Sequence, residues 1–182
     1  YSFGNRELSV CSALCAIGIF NDDRAAFYQG IYHWMSYIPC YIYMTSDGPS
    51  PRLADYWQTE PTLDDYYAMH ANIFPNPADS WVYKPNTQTG HGDDKTRMTT
   101  YTVDQQWAMS VPNYFQGCNA ETVGRDLSHV ENAIASVFTV TELARGQGID
   151  LYSGSKDRLA AFLETNAYLR LGNPVPAGGY TL

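Results

Sequence analysis

Between residues 122 and 145 the chain repeats apolar residues at the spacing of an α-helix: Leu127, Val130, Ile134, Val137, Phe138 and Thr141. At about 100° per residue these positions gather on one side of a helix, whereas a strand, with its period of two, would scatter them over both faces. Gly146 and Gly148 follow as stop signals. The same spacing runs through Leu8, Cys11, Leu14, Cys15 and Gly18 in residues 5 to 19. It starts afresh with Phe27, Ile31, Trp34 and Ile38, with Asn21 or Asp22 as cap, Asp22 and Asp23 suited to a helix start, and Pro39 as terminator. Gly18 predicts a close helix contact, and the short link predicts an antiparallel helical hairpin.

Further along, Thr62 with Asp65 resembles a capping box opening a helix to about Ile73. A modest helix is expected around Gln105 to Met109. A last helix is expected from about Lys156 to Leu171, capped by Ser155, facing Leu159, Phe162, Leu163, Ala167 and Leu171 inward and ended by Gly172. Residues 74 to 100, with three prolines, two glycines and many polar residues, read as a long exposed loop, and the tail PVPAGGYTL reads as extended. Only CYIYMT at 40 to 45 alternates like a strand. The pattern is that of one all-α domain built from helical hairpins with long loops.

The 182 residues suffice for one domain with a core. A net charge of −8 with no basic cluster argues against a nucleic-acid partner. It also weighs mildly against a polyanionic substrate, unless positive groups converge locally. Fifteen tyrosines and four tryptophans supply either core bulk or flat platforms with polar tips that suit sugars, and composition leaves both open. Cys11 and Cys15 share a helix face as small apolar residues, while a disulfide between Cys40 and Cys118 is left open. No cysteine or histidine spacing matches a zinc site, so no metal or cofactor is expected. No apolar run is long enough to span a bilayer, so no membrane partner is expected. The opening YSFGNREL has neither an initiator Met nor a signal-peptide pattern, and reads as a piece of a longer polypeptide or a processed product.

On the 122–145 helix, Arg125, His129, Asn132 and Ser136 fall roughly opposite the apolar stripe, and Glu131 falls toward it, where a carboxylate needs a partner. Amphipathic helices usually turn such a face to water. These side chains, however, are mostly short and able to be held rigidly. They include histidine, whose charge changes most readily near neutral pH.

Four pieces, GNREL, IGIFNDDRAAF, YIYMTSDGPSP, and GRDLSH with the following RGQGIDLY, occur in one order across nearly all of the chain. In this they resemble the alginate lyase family of polysaccharide lyases. The resemblance implies an (α/α) toroid of helical hairpins around a tunnel or cleft, and β-elimination on a uronic-acid polymer such as alginate or glucuronan. It implies no cofactor, an anionic polysaccharide as partner, and a secreted or periplasmic location. It also implies an incomplete toroid in these 182 residues, completed by further hairpins or by another chain.

The elimination needs three tasks done. The C5 carboxylate must be neutralised, a base must take the C5 proton, and an acid must protonate the departing O4. By resemblance, Asn5 matches the neutralising asparagine; by position alone it is equally a helix N-cap. His129 matches the imidazole that neutralises or acts as base. Glu121 would share in neutralisation, or simply place a favourable charge near a helix start. Arg125 would bind substrate or orient a neighbour, and Asp126 would hold the His129 ring or pair with Arg125. Tyr180 lies at about the distance downstream at which the family carries its catalytic tyrosine. His91, between glycines in the long loop, is a candidate lid residue; His33 is expected to be packed or at the surface, and His70 to end a helix.

Two other classes remain open. A glycosidase on a similar toroid would use two carboxylates, such as Asp93 or Asp94 with Glu121 or Asp126. A non-catalytic carbohydrate-binding domain on the same scaffold would keep the aromatics and Asn5 as sugar contacts.

Overall fold

The computed structural model describes residues 4–52, 107, 114–124 and 126–176. The described chain is all-α: α1 (Asn5–Phe20), α2 (Arg24–Tyr41), a short 3₁₀ turn (Thr45–Asp47), α3 (Ala120–Gly124), α4 (Leu127–Gly146) and α5 (Tyr152–Arg170). The helices expected near 62–73 and 105–109 and the loop at 74–100 lie outside the described residues, apart from Trp107.

The α1–α2 hairpin forms as its spacing predicts. Leu8, Cys11 and Cys15 of α1 are buried with Phe27, Ile31, Trp34 and Ile38 of α2. Each such large side chain contributes about 1.5–3 kcal/mol on full burial. Two glycines set the helix separation. A Cβ on Gly18 would lie 2.4 Å from the Phe27 nitrogen, and one on Gly30 would lie 2.6 Å from Cys15 Sγ. The cap is Asp23, whose carboxylate accepts from the Ala25 and Ala26 amides, while Asp22 takes a left-handed turn conformation (φ 54°). Pro39 does not end α2, which runs on to Tyr41. Cys40, Tyr41 and Ile42 beyond it are all buried, and that burial outweighs the hydrogen bond that proline removes.

Residues 42–47 and 114–119 meet as a small antiparallel crossing rather than a strand. Ile42 bridges Asn119, Tyr43 donates to the Cys118 carbonyl (2.9 Å), and Gly117 donates to that of Tyr43 (2.9 Å). Cys40 and Cys118 flank this crossing as buried thiols with no disulfide between them. Trp107 is buried here, its indole N–H donating to the Cys40 carbonyl at 3.1 Å. Arg158 of α5 locks the turn: its guanidinium grips Asp47 with two bonds (2.7 and 2.8 Å) and donates to the Ile42 carbonyl (2.5 Å).

The expected 122–145 helix is two helices. Asp126, extended at φ −156°, breaks it and caps α4 by accepting from the Ser128 and His129 amides. Val130, Val137 and Thr141 of the expected stripe are buried, with Ala133, Val140 and Ala144 beside them; Leu127, Ile134 and Phe138 are partly buried. Helix α4 packs against both α1 and α5, so part of its supposed polar face is interior. Ser136 is buried, with Ser9 Oγ of α1 at 3.2 Å. Glu131 is exposed rather than inward and pairs with Arg170 at 2.9 Å.

Helix α5 begins four residues earlier than Lys156, with Asp150 accepting from the Ser153 amide at 3.0 Å. Leu159 and Phe162 face inward as expected, but Leu163, Ala167 and Leu171 are exposed, and Ala161, Asn166 and Leu169 take the interior face. Asn166 belongs there because its amide donates to the Phe162 carbonyl and accepts from Thr122 Oγ1 (2.7 Å).

Candidate functional site

The crossing delivers Asn119 and Glu121 beneath the amino terminus of α1. Gly4 caps that helix at φ 148° and carries no side chain with which to satisfy its amides. Glu121, only 1% exposed, fills the gap. Its Oε1 accepts the Asn5 amide at 2.6 Å, and its Oε2 accepts the Tyr41 hydroxyl. A carboxylate at this end also complements the helix dipole. A Cβ on Gly4 would lie 2.3 Å from Glu121 Oε1, so glycine makes room for the carboxylate.

Two tyrosines one turn apart on α2 complete the cluster. The Tyr37 hydroxyl accepts from the Gly4 amide (2.5 Å) and donates to the Gly4 carbonyl (3.1 Å). Tyr41 stacks on Tyr37 with ring centroids 5.4 Å apart at 19°, and its hydroxyl accepts from Asn119 Nδ2 at 2.8 Å. One turn before Tyr37, His33 brings Nε2 to 3.1 Å from Glu7 Oε2 of α1. The sequence reading missed the column His33, Tyr37 and Tyr41. Its spacing of four is the signal that could have found it, a second stripe beside the apolar face of the same helix.

Asn5 is the first residue of α1, with Gly4 as its N-cap, and is 4% exposed. Its carbonyl accepts from Ser9 Oγ (3.1 Å). Its side-chain amide has no hydrogen bond among the described residues.

At the start of α4, Asp126 performs two tasks with one carboxylate. Besides capping the helix, it holds His129, with Oδ2 2.8 Å from Nδ1. Its carboxyl is held well below the usual range by the Ser128 hydroxyl first, then by the His129 ring and amide. An ionised Asp126 accepts Nδ1–H and so makes Nε2 the proton-accepting nitrogen of the neutral ring. The His129 side chain is 31% exposed. His129 shares the helix face of Ser136, seven residues on, which touches Ser9. Along the chain, the anchors Glu121–Asn5 and Ser136–Ser9 bracket it.

Of the residues singled out in the sequence, Glu121 and Asn5 are brought together, and so are Asp126 and His129. Arg125, Tyr180, His91, His70, Asp93 and Asp94 lie outside the described residues. Burial pushes the Cys15 and Cys118 thiols up to about 12 and Cys11 well above its ordinary value, so all three are protonated near neutral pH and none is a ready nucleophile. Among the described residues no three His, Cys, Asp or Glu side chains converge as metal ligands, and no helix is long and apolar enough to cross a membrane. Comparison with protein-family models, with curated proteins and with solved structures finds no significant match to this chain.

Proposed function

We propose that this chain is a polysaccharide lyase, or a segment of one, that cleaves a uronic-acid polymer such as alginate or glucuronan by β-elimination. The observation that carries the reading is the Asp126–His129 pair: an imidazole that is partly exposed and held through Nδ1 by an ionised carboxylate at 2.8 Å. The order of the GNREL, IGIFNDDRAAF, YIYMTSDGPSP and GRDLSH pieces supports it. On this reading the helices belong to an (α/α) toroid, and another chain or further hairpins complete the cleft.

In the reaction, His129 Nε2 takes the C5 proton or, as imidazolium, neutralises the adjoining carboxylate. The electron pair of the C5–H bond forms the C4=C5 double bond, and the C4–O4 bond breaks. An acid returns a proton to O4, a role assigned to Tyr180 by resemblance. The Asn5 amide donates to the substrate carboxylate, reducing the charge that builds in the transition state. Arg125 binds the same anion or its neighbour. No cofactor enters these steps. The polymer acted on is polyanionic, and a secreted or periplasmic location goes with it.

The test is direct. The wild-type chain incubated with polyglucuronate or alginate should generate ultraviolet absorbance from the new conjugated double bond, and His129→Ala should abolish it while keeping the helical circular dichroism. Undiminished turnover in His129→Ala would remove the assignment. New reducing ends without absorbance would indicate a glycosidase, and oligouronate binding without either would indicate a carbohydrate-binding domain.

A further inference from the structure

We infer that Tyr37, Tyr41 and Glu121 act as positioning residues for Asn5, together holding its side-chain amide ready for a uronate carboxylate. This rests on the lyase reading above. The backbone N–H and carbonyl of both Gly4 and Asn5 are engaged. Tyr37 takes both the N–H and the carbonyl of Gly4, Glu121 takes the Asn5 N–H, and Ser9 takes the Asn5 carbonyl. Tyr41 and Asn119 in turn hold the carboxylate of Glu121. The group that this arrangement leaves without a hydrogen bond, among the described residues, is the Asn5 amide itself, at 4% exposure.

A carboxylate oxygen is the natural complement to Nδ2–H, since it accepts and never donates when ionised. The two tyrosines and Glu121 are thus placed to act on the substrate through Asn5 rather than by touching it. Clamping the backbone of a donor in advance removes the reorganisation it would otherwise undergo as charge develops. Helix α1 enters the hairpin at the clamped residue, so α2 and α3 together set where the donor stands.

A double-mutant cycle on turnover tests this, with Asn5→Ala, Tyr41→Phe and the combination, each checked by circular dichroism. Asn5→Ala should lower kcat by about 100-fold, as loss of one preorganised donor does. Tyr41→Phe should lower kcat by roughly tenfold with little change in KM, and the double variant should be within about twofold of Asn5→Ala alone, because a residue acting only through Asn5 has nothing left to act on. Multiplicative losses in the double variant, or wild-type kcat in Tyr41→Phe, would overturn the assignment. If Tyr41→Phe does not fold, Tyr37→Phe carries the same cycle with the same criteria. Absence of product from the wild-type chain would be a different failure, seen before any variant is made. It would sink the lyase reading and this role with it.

Discussion

Glu121 and Asn5 are 116 positions apart in the chain and 2.6 Å apart in space, carboxylate oxygen to amide nitrogen. That bond closes the fold, because it ties the segment that leads into α4 to the first residue of α1. It also replaces the N-cap side chain that Gly4 lacks.

Glu121→Ala therefore strands the Asn5 amide and the Tyr41 hydroxyl in the interior. It should cost about 3 kcal/mol, the scale of two buried groups losing their acceptor. Glu121→Gln keeps one acceptor and the side-chain shape, and should cost less. Urea unfolding of the two variants against wild type measures both. Equal stability for Glu121→Ala and wild type would mean that the carboxylate does not anchor α1.

A second prediction concerns Asp47, which accepts from Arg158, Arg52 and the Met44 amide. Burial alone would raise its carboxyl, but the hydrogen bonds from Arg158 and Met44 and the charges of both arginines hold it below the usual range. The sign follows. A carboxyl depressed in the folded state stabilises fully above its unfolded value, about 3.9, and loses that contribution as pH falls through the lower folded value. Asp47→Asn should cost about 2 kcal/mol at neutral pH, the scale of a charge-assisted hydrogen bond. The gap from wild type should narrow as pH drops below about 4. Denaturant midpoints measured from about pH 7 down to about 2.5, across the unfolded carboxyl range, check both the gap and its direction.

The helical period was enough to place the α1–α2 hairpin, its buried Phe27–Ile31–Trp34–Ile38 face and the tight approach at Gly18. Those features follow from local spacing and from one neighbour. Where the reading failed, a second neighbour or a distant partner decided. Ser136 looked solvent-facing because a single stripe defines only one buried side, yet α1 covers it. Leu163 and Leu171 looked internal by residue type, while Asn166 took the interior through bonds to Thr122 and Phe162. Asp126 reads from the sequence as a partner for His129 or Arg125, and its extended backbone as a helix break is not legible from charge alone. The site was half visible. Asp126 and His129 are three apart and read together from the sequence, whereas the Asn5–Glu121–Tyr41 cluster joins three distant segments that no local pattern connects.

Glu131 gives a third prediction, and one where the structure reverses the sequence expectation. An inward carboxylate would be costly to truncate. The observed ion pair with Arg170 is solvent-exposed on both sides, 54% and 64%. Glu131→Ala should change stability by less than about 0.5 kcal/mol, as exposed pairs do. That small difference should shrink further with added salt, which screens an exposed pair. A large loss on truncation would return Glu131 to the interior.

Asp126→Asn separates the two tasks of that side chain. Asparagine caps a helix about as well as aspartate, so the amides of Ser128 and His129 keep an acceptor and the thermal midpoint should fall less than in Asp126→Ala. The histidine loses its ionised partner, however. An amide at Oδ2 can present N–H as readily as C=O to Nδ1, which no longer fixes the tautomer with Nε2 as the proton-accepting nitrogen. Turnover should fall by between about tenfold and 10⁴-fold, the span from lost orientation to wrong tautomer. Because the wild-type carboxyl is held well below its usual range by Ser128 and His129, Asp126 stays ionised through mildly acidic pH and should add no limb to the pH–rate profile there. Asp126→Ala serves as the contrast, since it removes the cap as well and should lower both turnover and the thermal midpoint. If Asp126→Asn keeps full turnover, Asp126 is a helix cap and nothing more, and His129 must be oriented by another group.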